Sequence, residues 1–302
     1  MSLPPPDNLD DIFDALVQPR PVLSREDFQK FKQADADAFK ETQVVSTVIP
    51  IIEGEVGDGK SVAGQVPFTN LEHLTDGFLV PGNPDRYYGA RPEQLDRQVR
   101  TQLGGHIVPS TQHNLPIAPN FFLTAKGPDG TLSIAKRQAC YDGALGARGM
   151  KSLRAYGDPG LHPDNKAYTL TSIYHGGTLT IYASYPLSRG SLGMRCEYAT
   201  TQINGYALTG NIDAFRTGVS AYRNARDWAR QKRDEAIERA NEAAAVRSRH
   251  NLPAVGLDYD RNSDSDSDSD SDANIPPAKR ARKFRGRQYA SVKSEGEERA
   301  IC

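Results

Sequence analysis

Apolar residues recur at helical spacing near the start of the chain. Leu9, Ile12, Phe13 and Leu16 fall on one face of a helix predicted over 7–18, which Pro19 and Pro21 end. Ser24 then stands where an N-cap belongs, with Glu26 and Asp27 suited to a first helical turn. The buried stripe of this second helix is drawn from Phe28, Phe31 and Phe39. Short apolar runs over 68–80 predict strands. Leu95, Val99 and Leu103, four residues apart, predict a helix over 91–103 that Gly104-Gly105 would end.

The second half is more strongly patterned. Residues 120–126 read as a buried strand, closed by the turn Gly127-Pro128-Asp129-Gly130. A long helix follows over 133–156, and Gly143, Gly146 and Gly149 would let its backbone lie close to a sheet. Residues 167–174 and 178–185 are β-rich, and Gly176-Gly177 between them predicts a hairpin. A final helix over 212–246 packs through Phe215, Val219, Tyr222 and Ala229, with its charged residues on a solvated face. The fold class expected is α+β (or α/β): a central mixed sheet flanked by helices, with helices before it and a long helix after it. Three parts are expected: a helical segment 1–53, a globular domain 65–246 and a tail 247–302.

Charge changes the picture only in the tail. The formal net charge of the 302 residues is -1, but acidic and basic blocks sit side by side near the C-terminus. Residues 263–272 are a strict Ser-Asp repeat with nothing apolar to bury, so disorder is expected. Its serines lie beside acidic residues, an environment that acidophilic kinases use, and phosphate there would add negative charge able to mask its neighbours. Lys279, Arg280, Arg282, Lys283, Arg285 and Arg287 follow as a dense basic cluster, which reads as an import signal or a nucleic-acid patch. The expected location is the nucleus, with an import receptor as partner. The first residues lack a charged start and an apolar core, and the apolar stretch 44–52 is too short to span a bilayer, so neither secretion nor a membrane partner is expected. Three cysteines, Cys140, Cys196 and Cys302, make no disulfide framework or zinc cluster, and a reducing compartment is the simpler reading.

Two strings carry candidate chemistry. Gly54-Glu55-Val56-Gly57-Asp58-Gly59-Lys60-Ser61 formally matches a phosphate-binding loop. Its context is poor, because Pro50 precedes it and residues 62–67 make a poor phosphate-binding helix. The other string is the order strand, Pro-Asp, helix, strand ending in Lys, helix with Gln, then two strands. It rests on Asn83-Pro84-Asp85, on Phe121-Phe122-Leu123-Thr124-Ala125-Lys126 and on Gln138 within Lys136-Arg137-Gln138-Ala139-Cys140.

This order resembles the PD-(D/E)XK nuclease superfamily. The resemblance implies that Asp85 is a metal-binding aspartate, Lys126 the catalytic lysine and Gln138 the helical glutamine. A divalent cation such as Mg²⁺ wants hard carboxylate oxygens, and it can activate water and stabilise charge on a phosphodiester. The departure is Thr124, which occupies the acidic position two residues before the lysine and shares its strand face. Glu93 or Asp142 could supply a displaced acid; otherwise the site is crippled and holds Mg²⁺ weakly or not at all. A closer resemblance covers 65–240. The strings Pro119-Asn120-Phe121-Phe122-Leu123, Arg137-Gln138-Ala139-Cys140-Tyr141-Asp142-Gly143, Tyr174-His175-Gly176-Gly177 and Tyr222-Arg223-Asn224-Ala225-Arg226-Asp227-Trp228 are similar to a fungal domain family without an established activity, whose members usually carry Glu at the place of Thr124.

The leading expectation is a nuclear protein with a degenerate nuclease-like domain that binds DNA or RNA without cutting it. An active Mg²⁺-dependent nuclease with a displaced carboxylate is the first alternative. A nuclear protein-interaction domain is the second. His106, His113 and His175 lie in no triad-like string.

Overall fold

The structure is a computed structural model describing residues 4–75, 77, 79–158, 160–161, 164–187, 197–250 and 299–301. Helices α1 (Leu9–Leu16), α2 (Arg25–Asp37), α3 (Glu41–Gln43) and α4 (Ile49–Glu53) come first, with a π-helical turn at Val44–Val48 joining the last two. Ser24 caps α2 as expected. Its side chain accepts from the Asp27 backbone N–H at 3.0 Å, while the Asp27 carboxylate accepts from Ser24 N–H at 2.8 Å. Phe28 and Phe31 are buried, but Phe39 is 71% exposed because α2 has already ended at Asp37.

Among the described residues, seven strands form one mixed sheet whose spatial order follows the chain: β1 (Val62–Ala63), β2 (Arg86–Ala90), β3 (Ile117–Lys126), β4 (Thr169–His175), β5 (Thr178–Leu187), β6 (Glu197–Ala207) and β7 (Arg299–Ile301). β2 runs antiparallel to β3, and β3 runs parallel to β4. The crossover between those parallel strands is α7 (Leu132–Ala155). β4 and β5 form the expected hairpin, with positive φ at both Gly176 and Gly177.

All ten residues of β3 are buried, which is why its sequence is mostly apolar on both faces rather than alternating, with Asn120, Thr124 and Lys126 as its polar positions. Phe121, Leu123 and Ala125 pack in a cluster with Ile12 of α1, Phe31 of α2, Ile52 of α4 and Phe215, Val219 and Tyr222 of α8 (Ile212–His250). Phe122 points the other way, to Ala144, Leu145 and Ala147 of α7. The sheet is therefore a middle layer, with α7 on one face and the N-terminal helices and α8 on the other. α7 lies close, as its glycines suggest. A Cβ on Gly146 would stand 2.7 Å from the Phe122 ring, and one on Gly143 would stand 2.2 Å from Ser184 Oγ.

Several sequence expectations are corrected. Residues 68–80 hold no strand among those described; Phe68, Leu71 and Leu74 instead plug the α7 side of the sheet from a loop. The helix expected over 91–103 is a 3-10 turn, Pro92–Gln94, followed by α5 (Arg97–Gln102), because Asp96 caps a new start by accepting from Gln98 N–H at 2.7 Å. Gly104-Gly105 do not stop helical structure but open α6 (Gly104–Ile107). The Pro-Asp element lies before a strand, β2, not after one. Cys140 is disulfide-bonded, against the expectation of reduced thiols. The Ser-Asp repeat and the basic cluster 279–287 lie outside the described residues.

Candidate functional site

The C-terminal end of β3 is where the chain gathers its polar groups. Arg86 of β2 pairs with Leu123 of β3, so the residue before β2, Asp85, comes level with the last residues of β3. Its Oδ2 accepts from the Ala125 backbone N–H at 2.8 Å. That bond fixes the carboxyl beside Lys126, the final residue of the strand. The turn 127–130, closed by Gly130 N–H to Gly127 O at 2.9 Å, then delivers the chain into α7. Gln138 and Asp142 lie four residues apart on α7, hence on one face of it.

These four residues line a cavity of about 690 Å³, walled also by Tyr141 and by residues 79–83. The resemblance thus named three residues, Asp85, Lys126 and Gln138, that do share one site. Asp142, one of the two proposed displaced acids, is there as well. Glu93 is not. It sits on the 3-10 turn beyond the far end of β2 and is absent from the cavity wall. Thr124 is buried at 3% exposure and is likewise absent from that wall.

The sequence reading missed Glu41. It belongs to α3, inside the stretch taken as a separate helical segment, and its Oε2 accepts from Lys126 Nζ at 2.9 Å. The partners are 85 residues apart, and Glu41 stands in no motif, so no local signal could have joined them.

The electrostatics are those of crowded, partly dehydrated carboxyls. Burial, and after it the nearby Asp85, push Asp142 up to about 8. Gly82 packs close against this carboxyl: a Cβ there would come within 2.6 Å of Asp142 Oδ1. Asp85 is also raised, first by burial. The bond from Ala125 opposes this, Glu41 adds to it, and Lys126 and Arg86 pull the other way.

Could these side chains hold a divalent cation? Among the described residues, no three His, Cys, Asp or Glu side chains group around one point. Burial raises Asp142 well above the usual carboxylate range, Glu41 is paired with Lys126, and Asp85 has one oxygen committed to Ala125. The donor set fits a resident Mg²⁺ poorly, because a hard cation wants ionised oxygens free to face it. What the arrangement offers is a recess with one ammonium group, a carboxamide and Arg137 able to donate to phosphate oxygens, beside two carboxyls, Asp85 and Asp142, that burial pushes above their ordinary range.

The phosphate-loop match does not form such a loop. Gly59–Ser61 is a 3-10 turn that leads into β1 rather than into a helix, so no helix N-terminus faces a phosphate there. No helix among the described residues is long and apolar enough to cross a membrane. Comparison with protein-family models, with curated proteins and with solved structures finds no match.

Proposed function

We propose that this chain binds nucleic acid through a PD-(D/E)XK-like site that has lost most of its power to cut. The reading rests on one observation: Asp85, Lys126 and Gln138 share a cavity at the end of β3, while the acidic position on that strand holds Thr124. Lys126 and Gln138 would contact a phosphodiester, and Asp85 would hold the strand end in place through Ala125. The basic cluster of Lys279, Arg280, Arg282, Lys283, Arg285 and Arg287 supports nuclear import and adds charge for the same ligand.

The test is binding and cleavage of DNA and RNA in Mg²⁺ and Mn²⁺. Binding should fall as salt rises, and Lys126→Ala should weaken it several-fold. Wild type should cut slowly or not at all, and Thr124→Glu should raise cleavage at least tenfold. Because position 124 is buried, the melting temperature of that variant is measured alongside. Brisk cleavage by wild type, abolished by Lys126→Ala, would defeat the reading.

One observation favours a second reading, an active nuclease with a displaced acid. Glu41 brings a carboxylate to Lys126 from a different element. In that case Glu41→Gln should abolish cleavage, whereas a crippled site has nothing for it to abolish. Absence of any nucleic-acid binding in the folded chain would leave a protein-interaction domain instead.

A further inference from the structure

Four arginines, Arg20, Arg223, Arg226 and Arg230, meet in a second cavity of about 450 Å³. It lies between the connection from α1 to α2, the loop after α4 and the middle of α8. Three come from α8 at positions three, four and seven apart, so they share a helix face. Its wall shares no residue with the Asp85 cavity.

Hydrogen bonds hold these guanidiniums without neutralising them. Arg223 donates to Ile52 O at 2.9 Å and to Ile51 O at 3.0 Å. Arg226 donates to Glu53 O at 2.8 Å and to Glu55 O at 3.3 Å. Three of these bonds satisfy carbonyls left over at the end of α4 and the fourth a carbonyl of the loop after it, but a carbonyl carries no net charge. The counter-charge is sparse. Asp227 is shared by Arg20, by Arg226 at 3.5 Å and by Arg230 at 3.7 Å. Glu55 is the other carboxylate on the wall, and it is exposed. The wall thus carries four positive charges and two negative ones, with Asp27 of α2 a further carboxylate within reach of Arg223. The crowding registers at Arg223, which is held below the usual guanidinium range by burial first, then by Arg226 and Arg20, with Asp27 opposing.

We propose that this pocket binds a phosphate dianion carried on a small molecule of nucleotide size. Guanidinium forks match pairs of phosphate oxygens, and Arg223 and Arg226 are already fixed by their carbonyl bonds, so little side-chain freedom remains to be lost. The positive surplus of this wall suits a phosphomonoester dianion better than a single carboxylate. The volume exceeds that of phosphate alone and falls in the range of small-ligand sites, about 300–1,000 Å³. This pocket and the Asp85 site are separate, so its ligand does not depend on nucleic-acid binding there.

The experiment is calorimetric titration of the full chain at low ionic strength with inorganic phosphate, adenosine 5′-monophosphate and adenosine. The monophosphate should bind at least tenfold more tightly than adenosine, with phosphate competing for the same site. Arg230→Glu should weaken that binding at least tenfold without lowering the melting temperature, since the Arg230 side chain is 56% exposed. Arg226→Lys, which keeps the charge and loses the fork, should fall between. Equal binding of adenosine and its monophosphate, or indifference to Arg230→Glu, overturns the proposal. So does tighter, Arg230-dependent binding of a phosphoserine peptide or a 5′-phosphorylated oligonucleotide, which would assign the pocket to a macromolecule.

Discussion

Asp142 titrates in a range that makes its environment measurable. Its carboxyl sits at about 8 in the folded chain against an ordinary 3.8. The folded state therefore holds this proton more tightly than the unfolded state does. The stability linked to it is full below about pH 4, is lost as pH rises toward 8, and stays lost above that. Asp142→Asn removes the slope. Its melting temperature relative to wild type should therefore be higher at pH 8 than at pH 5, by about 5 °C or more. A difference that does not change with pH would mean that the carboxyl is hydrated and near its ordinary range. Residues also show where local reasoning works. Ser24 was legible because a cap is set by its next three residues, whereas Phe39 misled because an apolar side chain does not say where its helix stops.

Elements were legible where the pattern was long or closed by glycine. α7, α8, β3 and the β4–β5 hairpin stand close to their expected bounds. β6 has little hydrophobic period to read, because Thr200 and Thr201 are both half-buried and Gln202 and Asn204 both exposed. Residues 68–80 looked like strands because Phe68, Leu71 and Leu74 are buried, but they are buried from a loop. The contact between α7 and the sheet gives a test at this scale. Gly146→Val would drive a branched side chain into Phe122 and Thr169, whose atoms already stand 2.7 and 2.8 Å from a Cβ there. Overpacking of this kind costs about 1–3 kcal/mol, more than the roughly 0.5–1 kcal/mol that replacing a helical glycine restores. A net loss of stability should appear in denaturant melts. A neutral or stabilising result would show that α7 can slide away from the sheet.

At the scale of the molecule, the N-terminal helices are part of the main core. Ile12, Leu16, Phe28, Phe31, Val48 and Ile52 pack with Phe121, Leu123, Tyr222 and Ala225. Removing residues 1–53 should therefore leave a chain that aggregates or melts without a cooperative transition, and gel filtration with calorimetry would show it. A soluble, cooperative fragment would instead make the first helices an accessory. This integration is also why the candidate site was only half legible. Asp85, Lys126 and Gln138 belong to one stretch of sheet and crossover whose order can be read along the chain. Glu41 reaches them only because α3 is folded against that stretch, and a contact of that kind has no trace in local spacing.

The same closure has a consequence during synthesis. α1 is held by α8, where Asn224 Nδ2 donates to Leu16 O across a separation of 208 residues. At about 5–20 residues per second, a ribosome needs roughly 10–40 s to add that much chain. For that interval the first helix lacks the α8 face that completes its packing, and holdase chaperones that shield nascent segments would have their longest opportunity here.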